Sequence, residues 1–402
     1  MIRALILALL LASLGWWLDR EHHAGRFQRV DELFLDFLVA NTRDRFVVAN
    51  EHAASAAQVV LVKMRVTDKA EYAGWPPRPL DWQMILKSLQ TYEPAVVVIP
   101  ETLFWGKPPP EFVNEAAQAL APFPSTVLGV EAQLAAKRGA PAFMGGLEDA
   151  LPRFQKVQGE IDSVPPVGAL ISAPEDVMRR QAELGIAVPP DEKTAGRLTY
   201  AVQESGHLLP SVLAQALARF TQTPYAGQRL LLGPGAGAYL SNGAFVPLTA
   251  AGEFTVNAKQ PVPEVDALNL MTSDLAEALS PQDKGNLAGG NIFVIGTDDA
   301  VTGGLARLHA QALVQILALP RLRLLPDWAQ WIIWGAAGLV GAWLVFFVPR
   351  TKSILRGVLS IFSALVICFL AFQTSLIWCP PTIPAALIAV SALFARIAGR
   401  VK

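Results

Sequence analysis

From Trp328 to Val348 the chain carries no charged side chain, and neither does the run Gly357–Trp378. About 20 consecutive apolar residues cross the hydrocarbon core of a bilayer as a helix, because a helix satisfies its own backbone polar groups where there is no water. A third run, from Thr382 to about Gly399, is interrupted only by Arg396 near its end, and Pro349 and the pair Pro380–Pro381 punctuate the series. At the other end Ile2–Leu18 is apolar apart from Arg3, which can snorkel to the headgroups. A cleaved signal peptide opens the same way, but Trp16 and Trp17 follow the apolar core directly and leave no small-x-small cleavage site. The sequence therefore predicts four transmembrane helices: an anchor over 1–18 and three more in 328–402, enclosing a domain over 19–327.

Charge supports this division. The whole chain has a formal net charge of −1, which hides two unlike regions. Residues 328–402 hold Arg350, Lys352, Arg356, Arg396, Arg400 and Lys402 with no Asp or Glu, and 1–18 add only Arg3. All 34 acidic residues therefore fall in 19–327, against 26 basic ones, a net of −8. A nucleic-acid partner needs a clustered basic face, so an acidic domain excludes that class. Apolar residues at 52% and charged ones at 17% likewise exclude disorder. Short loops rich in Lys and Arg stay on the cytoplasmic side. The connector 349–356 and the tail 396–402 each carry three positive charges, which predicts cytoplasmic N- and C-termini and an extracytoplasmic 19–327. Arg20 and Arg26 pull weakly the other way, diluted by Asp19, Glu21 and Asp31.

Seven of the ten Trp (16, 17, 328, 331, 334, 343 and 378) lie in or beside the apolar runs, where an amphipathic ring favours the membrane interface. Cys368 and Cys379 are both in the C-terminal part. The exported domain then depends on its core and not on disulfides; Cys379 is either a plain apolar residue or a link between protomers.

Within 19–327, β-branched runs alternate with helical patterns. Val59–Val62, Ala95–Ile99, Thr126–Val130 and Ile292–Ile295 read as buried strands. Leu80–Tyr92, Glu111–Leu120 and about Gly304–Ala318 read as helices between or after them. This order predicts an α/β domain with a mixed, mainly parallel sheet and helices on both faces, the strand near 292 returning to the sheet from far along the chain. Residues 139–196, rich in Gly, Pro and charge, include long loops; Leu208–Phe220 holds a helix started after Pro210; and 229–257, split by glycines, reads as a β insertion.

Several motifs resemble the second type of extracellular sensory domain shared by cyclases and histidine kinases (CHASE type 2). Gly74-Trp75-Pro76-Pro77-Arg78 is similar to that family's G-x-W-P-W-P-R turn. Leu208-Leu209-Pro210-Ser211, Val294-Ile295-Gly296 and His309-Ala310 follow in the family's order. The resemblance implies a bacterial inner-membrane sensor with one span before and three after the exported domain. Departures are clear. An acidic residue expected after the first strand is replaced by Lys63-Met64-Arg65, with Asp68 later. Pro100-Glu101 stands where Phe-Asp is usual, and a late loop is shortened to Asp298-Asp299-Ala300-Val301-Thr302. The family continues into a cytoplasmic output domain, whereas this sequence ends at Lys402. The expectation is a module acting through another membrane or signalling protein, in contact with the lipid bilayer and able to form a homodimer. A structural scaffold with a degenerate, non-binding domain is the alternative.

Ligands of open α/β sheets sit beyond the carboxyl ends of the strands. That criterion selects Arg65, Asp68, Glu101, Glu131, Asp298 and Asp299, with Arg78 approaching from the Trp-Pro turn. Arg78, Glu101, Asp68 and Asp298 are the candidate ligand contacts. For Arg78 the alternative is a structural ion pair, for Glu101 a capping role, and for Trp75 a packing anchor. The five histidines have no i,i+4 or His-x-Glu spacing, so no metal site and no cofactor is predicted. His309 reads as a core histidine. Gly233-Pro-Gly-Ala-Gly237 lacks the Lys-Ser/Thr ending of a phosphate loop, and Ser211 and Ser241 have no nucleophile elbow. The sequence thus predicts a non-enzyme.

Overall fold

The computed structural model describes residues 13–21, 26–42, 44, 58–64, 75–135, 147, 150–189, 196–225, 227–233, 235–272, 290–297 and 304–398. Two compact units result. A helical unit comprises Met1–Arg43 with Arg321–Lys402 and includes helix α1 (Gln28–Asn41); an α/β unit comprises Asp44–Pro320.

The α/β unit is organised on one seven-stranded sheet. Its strands are β1 (Val59–Met64), β2 (Val96–Ile99), β3 (Thr126–Leu134), β4 (Val167–Ser172), β5 (Glu183–Ala187), β6 (Glu264–Asp266) and β7 (Ile292–Thr297). They run in the order β6-β1-β7-β2-β3-β4, with β5 also paired to β3. Every pairing is parallel except β3–β4. As expected, the late strand returns to the sheet. It occupies the centre, between β1 and β2, with Phe293 opposite both Val60 and Val97. β2 and β7 are buried at every position, the signature of a parallel sheet covered on both faces.

Helices α2 (Pro79–Gln90) and α3 (Pro110–Leu120) each start on a proline, whose fixed φ suits the first helical turn. They pack Trp82, Ile85, Leu86, Val113 and Leu120 into one core with Val60, Val62, Val97, Ile99, Phe293 and Ile295. Alternate strand residues point to the opposite face, where α4 (Val212–Phe220) lies against β2, β3 and β5 and α5 (Leu305–Ala318) lies against β1 and β7. Gly185 on β5 permits one close approach: a Cβ there would lie 2.6 Å from Val212 Cα.

Residues 139–196 also contain order: 167–172 and 183–187 supply strands to the main sheet. As expected, the helix starts after Pro210; Leu208–Pro210 before it belong to a hairpin, Ala201–Glu204 against His207–Pro210, turned through Ser205 and Gly206 at positive φ. Ser211 then caps α4, its Oγ accepting from the Ala214 N–H at 3.3 Å. The β insertion is a four-stranded sheet in which Phe245–Pro247, Gly237–Tyr239 and Arg229–Leu231 are joined by Lys156–Gln158.

In the helical unit follow α6 (Asp327–Phe347), α7 (Arg350–Ser375) and α8 (Thr382–Ala398). Among the described residues two helices, Trp328–Phe347 and Arg350–Ser375, are long and apolar enough to cross a membrane, not the four expected. The third run forms a helix of 17 residues, which at 1.5 Å per residue spans only about 26 Å. Most of the N-terminal run lies outside the described residues; its visible part, 13–21, is helical and places Leu14 and Leu18 against Trp334, Ile383 and Leu387. Small residues let the helices approach, as at Gly357, where a Cβ would meet that of Ala392 at 2.5 Å. The segments before α6 and after α7 pair as short parallel strands, Arg323–Leu324 with Ile377–Trp378.

Candidate functional site

A polar cluster joins residues just past β2 to residues within β3 and at the end of β7. Glu101 follows β2, and its carboxylate accepts from the Thr297 N–H at 2.9 Å and from the Thr297 hydroxyl at 2.6 Å. Thr297 is the last residue of β7, so the carboxylate ties the two central strands together at their ends. Gly296 leaves room for this: a Cβ there would lie 2.6 Å from Ala306 and 3.2 Å from Glu101 Oε2. Next to Glu101, Thr102 donates to the Gly129 carbonyl at 3.1 Å and accepts from the Glu131 N–H at 3.0 Å. Glu131 Oε2 accepts from the Ser172 hydroxyl at 3.2 Å.

The Trp-Pro turn closes over this edge. Trp75 stands edge-on to Trp82 at 5.7 Å and donates its indole N–H to the Thr102 carbonyl at 3.0 Å. Trp105 reciprocates, donating to the Pro77 carbonyl at 2.6 Å, and its backbone N–H donates to Glu175 Oε1 at 3.2 Å. The Trp75–Pro76 peptide is cis. Arg78 is the exposed residue preceding α2; no ion pair or hydrogen bond joins it to Glu101 or to another described carboxylate. Arg65, Asp68, Gly74, Asp298 and Asp299 lie outside the described residues.

His309 is 3% exposed on α5, and its Nδ1–H donates to the Leu305 carbonyl at 2.8 Å. A carbonyl can only accept, which fixes the proton on Nδ1. Burial depresses its pKa to about 4, only partly opposed by that hydrogen bond.

Two further clusters had no signal in the sequence, because each joins residues distant along the chain. Lys63 on β1 and Arg307 on α5 both pair with Glu264 on β6, the lysine at 3.1 Å. Burial pushes the Glu264 carboxyl up, but the Arg307 and Lys63 hydrogen bonds outweigh it and hold the group below its ordinary range. At the amino end of β5, Tyr225 donates to Gln215, while Gln215 and Arg219 donate to Glu183. This network borders a cavity of about 590 Å³ that Arg179 and Arg180 also line. Burial raises the Tyr225 hydroxyl pKa well above its ordinary value, so it stays a neutral donor. The cavity wall presents three guanidinium groups and two carboxylates, of which Arg179 pairs with Asp176 and Arg219 with Glu183. Among the described residues no group of three His, Cys, Asp or Glu is placed to hold a metal ion.

No family model matches the chain, and no curated protein and no solved structure matches it.

Proposed function

We propose that the protein is a membrane-anchored α/β module that acts through a separate membrane or signalling protein. The observation that carries this reading is α7: 26 residues long, with Leu355, Val358, Leu359, Phe362, Ile367 and Leu370 all directed outward. A buried core helix hides such residues, whereas a helix in lipid exposes them. The positive connector and tail favour chain ends in the cytoplasm with the α/β unit outside, and the motif order resembling CHASE type 2 domains favours a sensory or interaction role in a bacterial inner membrane.

A specific observation favours the scaffold version of this reading over a ligand receptor. Among the described residues, the carboxylates at the carboxyl edge of the sheet, where a ligand of such a fold would sit, are bonded to neighbouring groups of that edge. Glu101 binds Thr297, Glu131 binds Ser172, and two indoles seal the Trp-Pro turn. Alkaline carbonate extraction tests the anchor: the full chain should stay with the membrane pellet, and release into the supernatant would refute it. Purification in mild detergent tests the partner. A fixed stoichiometric assembly supports the scaffold, whereas a free homodimer whose melting responds to a small molecule supports the sensor.

A further inference from the structure

Helix α1 carries large apolar side chains on its outward side as well as its inward one. Its outward stripe is Val30, Leu33 and Phe37, which are 56%, 62% and 53% exposed. Its inward face holds Leu38, Val39 and the carboxylate of Asp31, which is 5% exposed. Amphipathic helices of soluble proteins keep the outward side polar, whereas here the three large apolar residues stand outward beside the exposed Arg29 and Asn41.

The inward contacts place α1 within the helical unit. Asp31 Oδ1 accepts from the Thr382 N–H at 3.2 Å and from its hydroxyl at 2.6 Å, which sets a carboxylate against the amino terminus of α8, where the helix dipole favours it. Phe34 lies 6.2 Å from Trp378, and Phe37 lies 6.2 Å from Phe369. Phe369 precedes the last residue of α7, Ser375, by six positions, which is about 9 Å along a helix axis.

We propose that α1 lies in the membrane interface, with Val30, Leu33 and Phe37 seated among the upper acyl chains of the bilayer. The helix has 14 residues, about 21 Å in length and too short to span about 30 Å of hydrocarbon. With α7 ending at the membrane surface, a contact about 9 Å along it falls within the 5–10 Å to which interfacial helices bury their apolar face. The occupant is lipid because the stripe continues an apolar surface: Phe37 packs on Phe369, whose neighbour Leu370 is exposed on α7. This inference rests on the reading that α6 and α7 cross the bilayer.

The test uses the full chain with Cys368 and Cys379 replaced by Ala. Single cysteines are introduced as V30C, L33C and F37C, with F362C on α7 as the spanning reference and K352C in the connector as the aqueous reference. Each is labelled with bimane and reconstituted into phosphatidylcholine–phosphatidylglycerol vesicles. The expected result is quenching at 30, 33 and 37 by shallow 5-doxyl lipid, quenching at 362 by deep 12-doxyl lipid, and iodide quenching only at 352. Quenching at 362 together with iodide access at 33 and 37 overturns the interfacial helix and leaves the spanning reading intact. Absence of lipid quenching at 362 overturns both. Labels at 33 and 37 shielded from lipid and iodide alike overturn the lipid assignment in favour of a protein, and disulfide cross-linking of L33C between copies identifies that protein as a second copy.

Discussion

Acidification should loosen α5 through one residue. In the folded chain His309 is neutral, buried and bonded through Nδ1 to Leu305, with its pKa depressed from 6.5 to about 4. The unfolded chain recovers the ordinary value, so between pH 6.5 and pH 4 it binds a proton that the folded chain does not. Stability is therefore complete above about pH 6.5 and falls as pH drops towards 4. A gap of about 2.5 units corresponds to about 3 kcal/mol, or roughly a 300-fold change in the opening equilibrium, because each unit is 1.36 kcal/mol. The readout is hydrogen–deuterium exchange of the Leu305–Ala318 amides in the detergent-solubilised full chain, corrected for intrinsic exchange rates. Wild type should lose protection steeply over this window. His309→Leu, which fills most of the volume and carries no titratable proton, should show a slope flatter by about that amount. Titration of carboxylates is common to both proteins and cancels. Equal slopes would refute the assignment of a buried neutral imidazole.

The remaining predictions concern packing and the carboxyl edge. Gly185→Ala places a Cβ 2.6 Å from Val212 Cα and should cost about 1–3 kcal/mol by overpacking, read as a lowered Tm of the α/β unit. Gly129→Ala is harsher, because its Cβ would stand 1.9 Å from the Pro100 carbonyl oxygen; soluble expression at wild-type yield would contradict the geometry. Glu101→Gln and Thr297→Val should each destabilise by about 1–2 kcal/mol through loss of a charge-assisted hydrogen bond. Their double mutant should fall short of the sum by more than about 0.5 kcal/mol, and strict additivity in urea titrations would show that the two groups are not coupled. Ser211→Ala removes the cap of α4 and should cost about 1 kcal/mol; an unchanged melting midpoint would remove the cap from the account of that helix.

What could be read in the sequence followed from local composition. Runs such as Val96–Ile99 and Ile292–Ile295 announce themselves as buried strands because both faces of a covered parallel sheet demand apolar residues, and Pro79 and Pro110 mark helix starts. β5 escaped because the close approach of α4 requires Gly185 in the strand, and Glu-Leu-Gly-Ile-Ala then has Ile186 as its single β-branched residue. The end of β2 pointed to Glu101 by position alone. Its partner Thr297 could not be read, since the pairing depends on β7 inserting beside β2. The same holds for the Glu183–Arg219 and Glu264–Arg307 pairs, each joined only by tertiary packing. Helix α1 is absent from the sequence-based expectations, and which of its faces turns outward is decided by Asp31 meeting Thr382 and by Phe34 meeting Trp378.

The position of β7 has a consequence for biosynthesis. β1 and β2 leave the ribosome early, yet in the finished sheet they never touch, and the strand that joins them is not complete until Thr297. At about 5–20 residues per second the facing edges of β1 and β2 stay unpaired for tens of seconds or less, each a template for mispairing with another nascent chain. The sheet therefore cannot grow outward from an early hairpin; it is completed from the middle by its penultimate major element, with α5 still to follow. A chain cut short anywhere between β3 and β7 should be an aggregation hazard instead of a smaller folded protein, and cellular quality control would meet this molecule as an all-or-none product.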